Sequence, residues 1–290
     1  MRLSIAVTNY SWPGGSAELT PRLLDLARTV DGAGIDTLWV ADHVLQMDPN
    51  AEIDEPMLEA YTTLGFLAAA TRSVNLGTMV TWATIRPPAL LVKTVTTLDV
   101  LSGGRAWLGV GAGYQADEAA MVGLPFEPTA ERFVRLEELL QLAGHMWDGD
   151  RGPFDGPRHH LDRPINTPPP VARPRVLVGG MGERRTLPLV ANYADACNLF
   201  DIPDGGATLR HKLAVLARAC EAIGRDPSDV EVTISSRLGE GETAEQFTDR
   251  CAGLADAGVD HVVLVSTGPW RAGGELGVVL DAARSVDQVA

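Results

Sequence analysis

The stretch Asp36 to His43 ends in a carboxylate and an imidazole, Asp42-His43, the pair in this chain best suited to moving a proton. An imidazole titrates near neutrality, so it can polarise a bond, accept a proton or return one at working pH. The pair follows Leu38-Trp39-Val40-Ala41, an apolar run of the kind that forms a strand buried on both faces. The carboxyl ends of such strands are where α/β folds place their chemistry. Taken alone, the same two residues could equally be a cap and an ordinary loop histidine.

Two glycine-rich stretches, Gly111-Ala112-Gly113-Tyr114 and Gly179-Gly180-Met181-Gly182, also follow apolar runs. Glycine lets backbone approach a flat ring or a phosphate closely, with amides free to donate. The second stretch reads as opening into a helix with Arg184 and Arg185, an anion site made by a helix N-terminus and guanidinium groups. Either cluster alone could be no more than a tight strand-to-helix turn. Gly109 to Gly113 is not the dinucleotide fingerprint, for it lacks the third glycine and the acidic partner about 20 residues on. There is no serine elbow, Gly-Lys-Ser loop or His-x-His pair on a strand. His145 and His211 fall on helices, His159-His160 in a solvated loop, and His261 at the start of a strand, the wrong end for catalysis. Barrel metallohydrolases need several ligands from different strands, so no metal is expected. One histidine beside an aspartate, among aromatics and glycine loops, suits an organic cofactor better.

The elements that must position these residues alternate strictly. Strands are expected at Leu3–Val7, Leu38–Ala41, Val74–Val80 (continuing to Ile85), Ala106–Val110, Arg175–Val178, Ala196–Phe200, Val230–Ser235 and His261–Val265. A helix follows each. The first has Thr20 as N-cap and Pro21 in its first turn, and others run over Pro56–Thr71, Pro87–Leu101, Thr129–Trp147, Glu183–Tyr193, Thr208–Ile223, Ala244–Ala257 and Leu276–Val286. Arg132, Arg135, Glu137 and Glu138 are assigned to a polar helix face. Eight such units predict a closed (β/α)8 barrel, ahead of a doubly wound open sheet. The rhythm breaks between Asp148 and Pro174, where seven prolines and three glycines show no periodicity. This is read as an excursion, with room for a short hairpin, between the fourth and fifth units of one domain spanning 1–290. A linker between two domains is the competing reading.

Composition sets the outer limits. With 45% hydrophobic and 21% charged residues the chain is an ordinary globular one, able to bury a substantial core. Its net charge of −14 makes nucleic acid and anionic membrane poor partners. Three cysteines without metal-type spacing predict free thiols in a reducing compartment. No signal-peptide core or membrane-length apolar run is seen, so a soluble cytoplasmic protein is expected.

Read together, the segments resemble the luciferase-like flavin and deazaflavin oxidoreductases. The resemblance rests on Trp39-Val40-Ala41-Asp42-His43, Leu76-Gly77-Thr78-Met79-Val80-Thr81, Leu98 to Arg105, Leu108 to Gly113, Glu131 to Glu138 and Val178 to Gly182. It covers nearly the whole chain, in family order. Leu58 to Leu67 and Asp195 to Phe200 resemble the actinobacterial branch that depends on coenzyme F420. The resemblance implies a barrel holding F420, or FMN, across the strand ends, and a non-proline cis peptide at Met79-Val80 supporting the ring. It implies a ring-edge contact from Asp42, His43 as the active-site histidine, and a ring and tail cradle from Met79, Val80, Thr81, Gly111, Ala112, Gly113, Gly179, Gly180, Met181 and Arg185. Arg184, Arg210 and Lys212 are further candidates for the anionic tail of F420. The F420 sugar-phosphate dehydrogenases carry a glutamate after the fourth-strand glycines where this chain has Tyr114, which argues against a sugar phosphate. Trp12, Trp82 and Tyr114 are expected to give the substrate pocket an aromatic rim. The expected activity is hydride transfer between F420 and a small organic substrate. An FMN monooxygenase and a non-catalytic paralogue are the alternatives, and family members are commonly homodimers.

Overall fold

Because the apolar runs are continuous, the strands they form have both faces covered; Leu38, Trp39 and Val40 are all buried. The computed structural model describes residues 1–286. In chain order its elements are β1 (Arg2–Val7), α1 (Ser16–Gly32), β2 (Thr37–Val40), α2 (Ala60–Ala70), β3 (Asn75–Thr78), β4 (Thr81–Trp82), α3 (Pro88–Ser102), β5 (Ala106–Gly111), α4 (Ala116–Val122), α5 (Thr129–Trp147), β6 (Phe154–Asp155), β7 (His160–Leu161), β8 (Arg175–Gly179), α6 (Thr186–Tyr193), β9 (Ala196–Phe200), α7 (Ala207–Glu221), β10 (Glu231–Ser236), α8 (Ala244–Asp256), β11 (His261–Val265) and α9 (Glu275–Val286).

The large sheet runs β3-β2-β1-β11-β10-β9-β8-β5-β4 and closes through a further β3–β5 pairing. Every pairing in it is parallel. Strands β3 and β4 are two halves of one barrel strand, since both pair with β5, so the ring has eight positions and is a (β/α)8 barrel. The break between the halves holds the cis peptide Met79-Val80.

The barrel interior is filled by Trp39, Trp107, Ala6, Leu177, Ala196 and Val263. Trp39 and Trp107 meet edge to face at 5.4 Å. Glycine on the neighbouring strands makes the room: a Cβ at Gly77 would lie 2.7 Å from Trp39. The amino ends of the strands are closed by a buried polar cluster. His261 touches Ser4 and lies 2.9 Å from Glu231, which also takes Arg2 and Arg175 at 2.7 Å each. Arg105 caps the end of α2 through the carbonyls of Ala68 and Thr71, and Arg225 caps α6 through those of Val190, Ala191 and Ala194.

Three expected boundaries and one face assignment are corrected. Helix α1 begins at Ser16, not at a Thr20 cap, and carries Pro21 inside it. Helix α2 begins at Ala60, with Glu59 accepting from the Thr62 N–H, so Pro56 lies outside. Helix α6 begins at Thr186, not Glu183, so Gly180 to Arg185 is a loop rather than a helix start. Arg132 and Glu138 on α5 are buried rather than on a solvated polar face.

The proline-rich stretch 148–174 contains the antiparallel hairpin β6–β7. It is fastened by Glu138, which accepts from the backbone N–H groups of Arg158 and His159 at 2.9 and 2.7 Å and lies 2.5 Å from the His159 ring. His159 is therefore half-buried and anchored, contrary to the solvated loop expected, while His160 is exposed.

Candidate active site

A cavity of about 1020 Å³ opens at the carboxyl ends of the strands. Three groups of elements build its wall: the β2–α2 loop with the broken third strand, the glycine-rich ends of β5 and β8, and the ends of β9 and β10.

His43 enters from the first group and lines the cavity. Its Nδ1 lies 2.7 Å from Oε2 of Glu118, on the short helix α4. The other oxygen of Glu118 accepts from the N–H groups of Val44 and Leu45 at 2.7 and 3.2 Å. The glutamate is only 1% exposed. Burial works to raise its carboxyl pKa, and the bonds from His43, Val44 and Leu45 outweigh it, holding the group below the ordinary value. His43 also meets Trp82 and Tyr114 edge-on, at 5.9 and 6.4 Å. Trp82 is buried and Tyr114, at 71% exposed, stands at the mouth. A carboxylate partner for His43 is thus present, four residues beyond the Tyr114 position where a glutamate was sought.

Asp42, expected at the ring edge, does not line the cavity. It is 2% exposed and both its oxygens are engaged behind the wall. Arg86 forks onto it, and Thr81 Oγ1 donates to Oδ2 at 2.7 Å. Arg86 also reaches Glu59 and lies over the Tyr61 ring at 4.9 Å. The Tyr61 hydroxyl is 2.8 Å from Thr81 Oγ1, and Thr78 Oγ1 donates to the Gly109 carbonyl at 2.8 Å. Thr78 and Thr81 flank the cis bond, so this network grips the Met79-Val80 bulge on both sides. Thr81 itself is therefore behind the wall, whereas Met79 and Val80 are in it.

The Val80 side chain projects between the two glycine-rich strand ends. A Cβ at Gly111 would lie 3.0 Å from its Cγ2, and one at Gly179 would lie 3.1 Å from its Cγ1. Gly111, Ala112, Gly113, Gly179 and Gly180 all line the cavity, with Gly113 and Gly180 at positive φ of 77 and 120°. Arg132 supports this side, donating to the Ala112 and Glu127 carbonyls at 3.1 and 2.5 Å and stacking 4.1 Å from the Phe126 ring. Opposite, Ser235 Oγ donates to Asn198 Oδ1 at 3.0 Å, and Arg237 completes the wall. Asp48 joins it from the β2–α2 loop, accepting from Asn9 and from the Gly268 N–H.

Three further expected residues, besides Asp42 and Thr81, fall outside the wall. Trp12 is core: its Nε1 donates to the Trp270 carbonyl at 2.8 Å and it borders a separate cleft. Met181 packs its sulfur 3.4 Å from the Phe200 N–H instead. Arg185 is exposed, 5.4 Å from the Phe133 ring at the rim. Among the other tail candidates, Lys212 is paired with Glu183 at 2.5 Å and Arg210 donates to the Gly205 carbonyl.

Cys197, Cys220 and Cys251 are free and buried, and burial pushes the first and last up to about 12, so none is poised as a nucleophile. Among the described residues no three His, Cys, Asp or Glu gather as a metal site. No described helix is long and apolar enough to cross a membrane.

Residues 1–273 match the luciferase-like monooxygenase family. An F420-dependent glucose-6-phosphate dehydrogenase of Kineococcus radiotolerans is 33% identical over 236 residues, covering 78% of this chain and 66% of its own. An F420-dependent hydroxymycolic acid dehydrogenase of Mycobacterium tuberculosis is 28% identical over 235 residues, covering 79% and 62%. The chain thus spans about two thirds of the length of these curated relatives. Among solved structures, an F420-dependent secondary alcohol dehydrogenase in complex with an F420-acetone adduct superposes with a TM-score of 0.81 at 18% identity, covering 99% of this chain and 98% of that one. At that identity the likeness is one of fold. With almost its full length matched and its barrel shared, the chain belongs to the luciferase-like monooxygenase family.

Proposed function

We propose that this protein is an F420-dependent oxidoreductase that transfers a hydride between the cofactor and a small organic substrate, with His43 handling the proton. The observation that carries the reading is the Val80 platform: an apolar side chain held between Gly111 and Gly179, beside an imidazole in the same cavity wall. Such a surface fits a flat tricyclic ring, and side chains at either glycine would crowd the Val80 methyls that form it. A cavity near the upper end of the usual ~300–1,000 Å³ range leaves room for a substrate beside the ring.

Bound F420 would supply the hydride acceptor or donor. The chain's own residues supply the rest. Met79, Val80, Gly111, Ala112, Gly113, Gly179 and Gly180 would seat the ring, and Arg185 with Arg184 would meet the anionic tail at the rim. Asp42, Thr81 and Arg86 would hold the bulge rather than touch the ring. Trp82 and Tyr114 would exclude water on the substrate side, and His43 would exchange a proton with the substrate oxygen. The wall carries charges of both signs, Asp48 and Asp201 with Arg132 and Arg237.

Titrating the purified protein with F420 and with FMN, and following quenching of each cofactor's fluorescence, tests the reading. Micromolar FMN binding without F420 binding would replace it with a flavin monooxygenase. A His43→Ala variant that binds F420 but keeps full turnover would remove His43 from the chemistry.

The outer faces of α2 and α3 support a homodimer. Helix α2 carries no charged residue, Phe66, Leu90 and Leu101 are exposed, and the charges of α3 are turned away: Lys93 to the Thr167 carbonyl and Asp99 to the Val171 and Ala172 N–H groups. Three buried free thiols support a reducing compartment such as the cytoplasm.

A further inference from the structure

We propose that Glu118 is a positioning residue: it keeps the His43 proton on Nδ1 and so presents a bare Nε2 to the cavity. The inference rests on the reading of His43 as proton handler and adds which nitrogen acts and what fixes it.

Every neighbour of the Glu118 carboxylate is a donor. Val44 and Leu45 give backbone N–H groups to one oxygen, and the other faces only His43 Nδ1, at 2.7 Å. An ionised carboxylate can only accept, so the neutral imidazole must carry its proton on Nδ1. Nε2 has no hydrogen-bond partner among the described residues, and the ring lines the cavity. Its lone pair is therefore free for a substrate hydroxyl. In the oxidative direction the substrate O–H bond breaks and its proton bonds to Nε2, while the C–H bond on the same carbon gives up the hydride that F420 would accept and the C=O bond forms; Glu118 balances the imidazolium, and in the reductive direction proton and hydride return to the carbonyl oxygen and carbon. A base oriented by a third group in this way follows the logic of nucleophile and base triads.

The backbone bonds give Glu118 a structural role as well, and the amide isostere separates the two. In Glu118→Gln the amide oxygen can still accept from Val44 and Leu45, while its NH2 must donate to Nδ1, which moves the imidazole proton to Nε2.

The experiment is ¹⁵N NMR of the ring nitrogens in histidine-labelled protein without cofactor, with His43 assigned by its loss in His43→Gln. The wild type is expected to show a protonated Nδ1 and a bare Nε2, and Glu118→Gln the reverse. In the same variant kcat/KM should fall by about 10²- to 10⁴-fold with F420 affinity unchanged. A wild-type Nε2–H tautomer overturns the proposal, as does an inverted tautomer with full turnover. The wild-type spectrum needs no variant, so a Gln form that fails to fold leaves the question decidable. Failure to bind F420 would strike the proposed function and leave the tautomer result standing.

Discussion

Arg86 and Asp42 form a two-pronged ion pair whose carboxylate is almost wholly withdrawn from solvent, one residue before the candidate proton carrier. Burial works against the Arg86 charge, and Asp42 outweighs it. Arg86→Ala strands a buried anion, a loss of about 3–5 kcal/mol. Urea unfolding should show it, and the double variant Arg86→Met/Asp42→Asn should recover part. A single variant as stable as wild type would mean that the pair contributes little.

The glycines around the bulge are not equivalent. At Gly109 an alanine Cβ would sit 1.8 Å from the Thr78 carbonyl oxygen, which is backbone and cannot yield. At Gly111 the neighbour is a Val80 methyl at 3.0 Å, which can move slightly. Overpacking typically costs about 1–3 kcal/mol. Gly111→Ala should fold near the lower end of that range and bind F420 more weakly, while Gly109→Ala should yield little soluble protein. Equal melting temperatures for the two would contradict this account.

Glu231 links stability to acidity. Burial pushes its carboxyl up, and His261, Arg2 and Arg175 outweigh that, bringing it from 4.5 to about 2. Folding thus favours the ionised form: the stabilisation is full above about pH 4.5 and is lost as pH falls toward 2. The gap corresponds to on the order of 3 kcal/mol. Urea melts at pH 7 and pH 3 should show Glu231→Gln well below wild type at the first and closer to it at the second. A pH-independent difference would exclude the linkage.

The charge-free faces of α2 and α3 make a solution prediction. Sedimentation should give a dimer for the wild type and a monomer for Phe66→Glu/Leu101→Glu with native circular dichroism. A monomeric wild type would sink the proposal.

Strand runs, helix stops and the glycine-rich ends were legible because local pattern encodes them, and the resemblance located the cis bond at Met79-Val80. What stayed hidden was pairing across the fold. Glu118 sits on a helix of seven residues, too short to show a period, 75 positions from His43. Arg132 lies one turn before the buried Leu136, a spacing that marks the buried face of α5; its charge led to the opposite assignment. Asp42 was correctly singled out as a strand-end carboxylate, but its partner Arg86 lies beyond the bulge, and only closure of the barrel brings them together. Trp12 was taken as rim because a loop tryptophan gives no sign that its Nε1 will find Trp270.

Glu118 and Glu138 use one device: a buried helix carboxylate takes two consecutive backbone N–H groups and a histidine ring from a distant loop. Each long excursion is thereby moored by a residue outside itself and outside the barrel strands. Loop and mooring form a unit of exchange, so a transplant of residues 43–59 into another barrel of this family would carry its histidine along but not the carboxylate that orients it. Recombination that respects only loop boundaries would move the acid–base group and leave its setting behind.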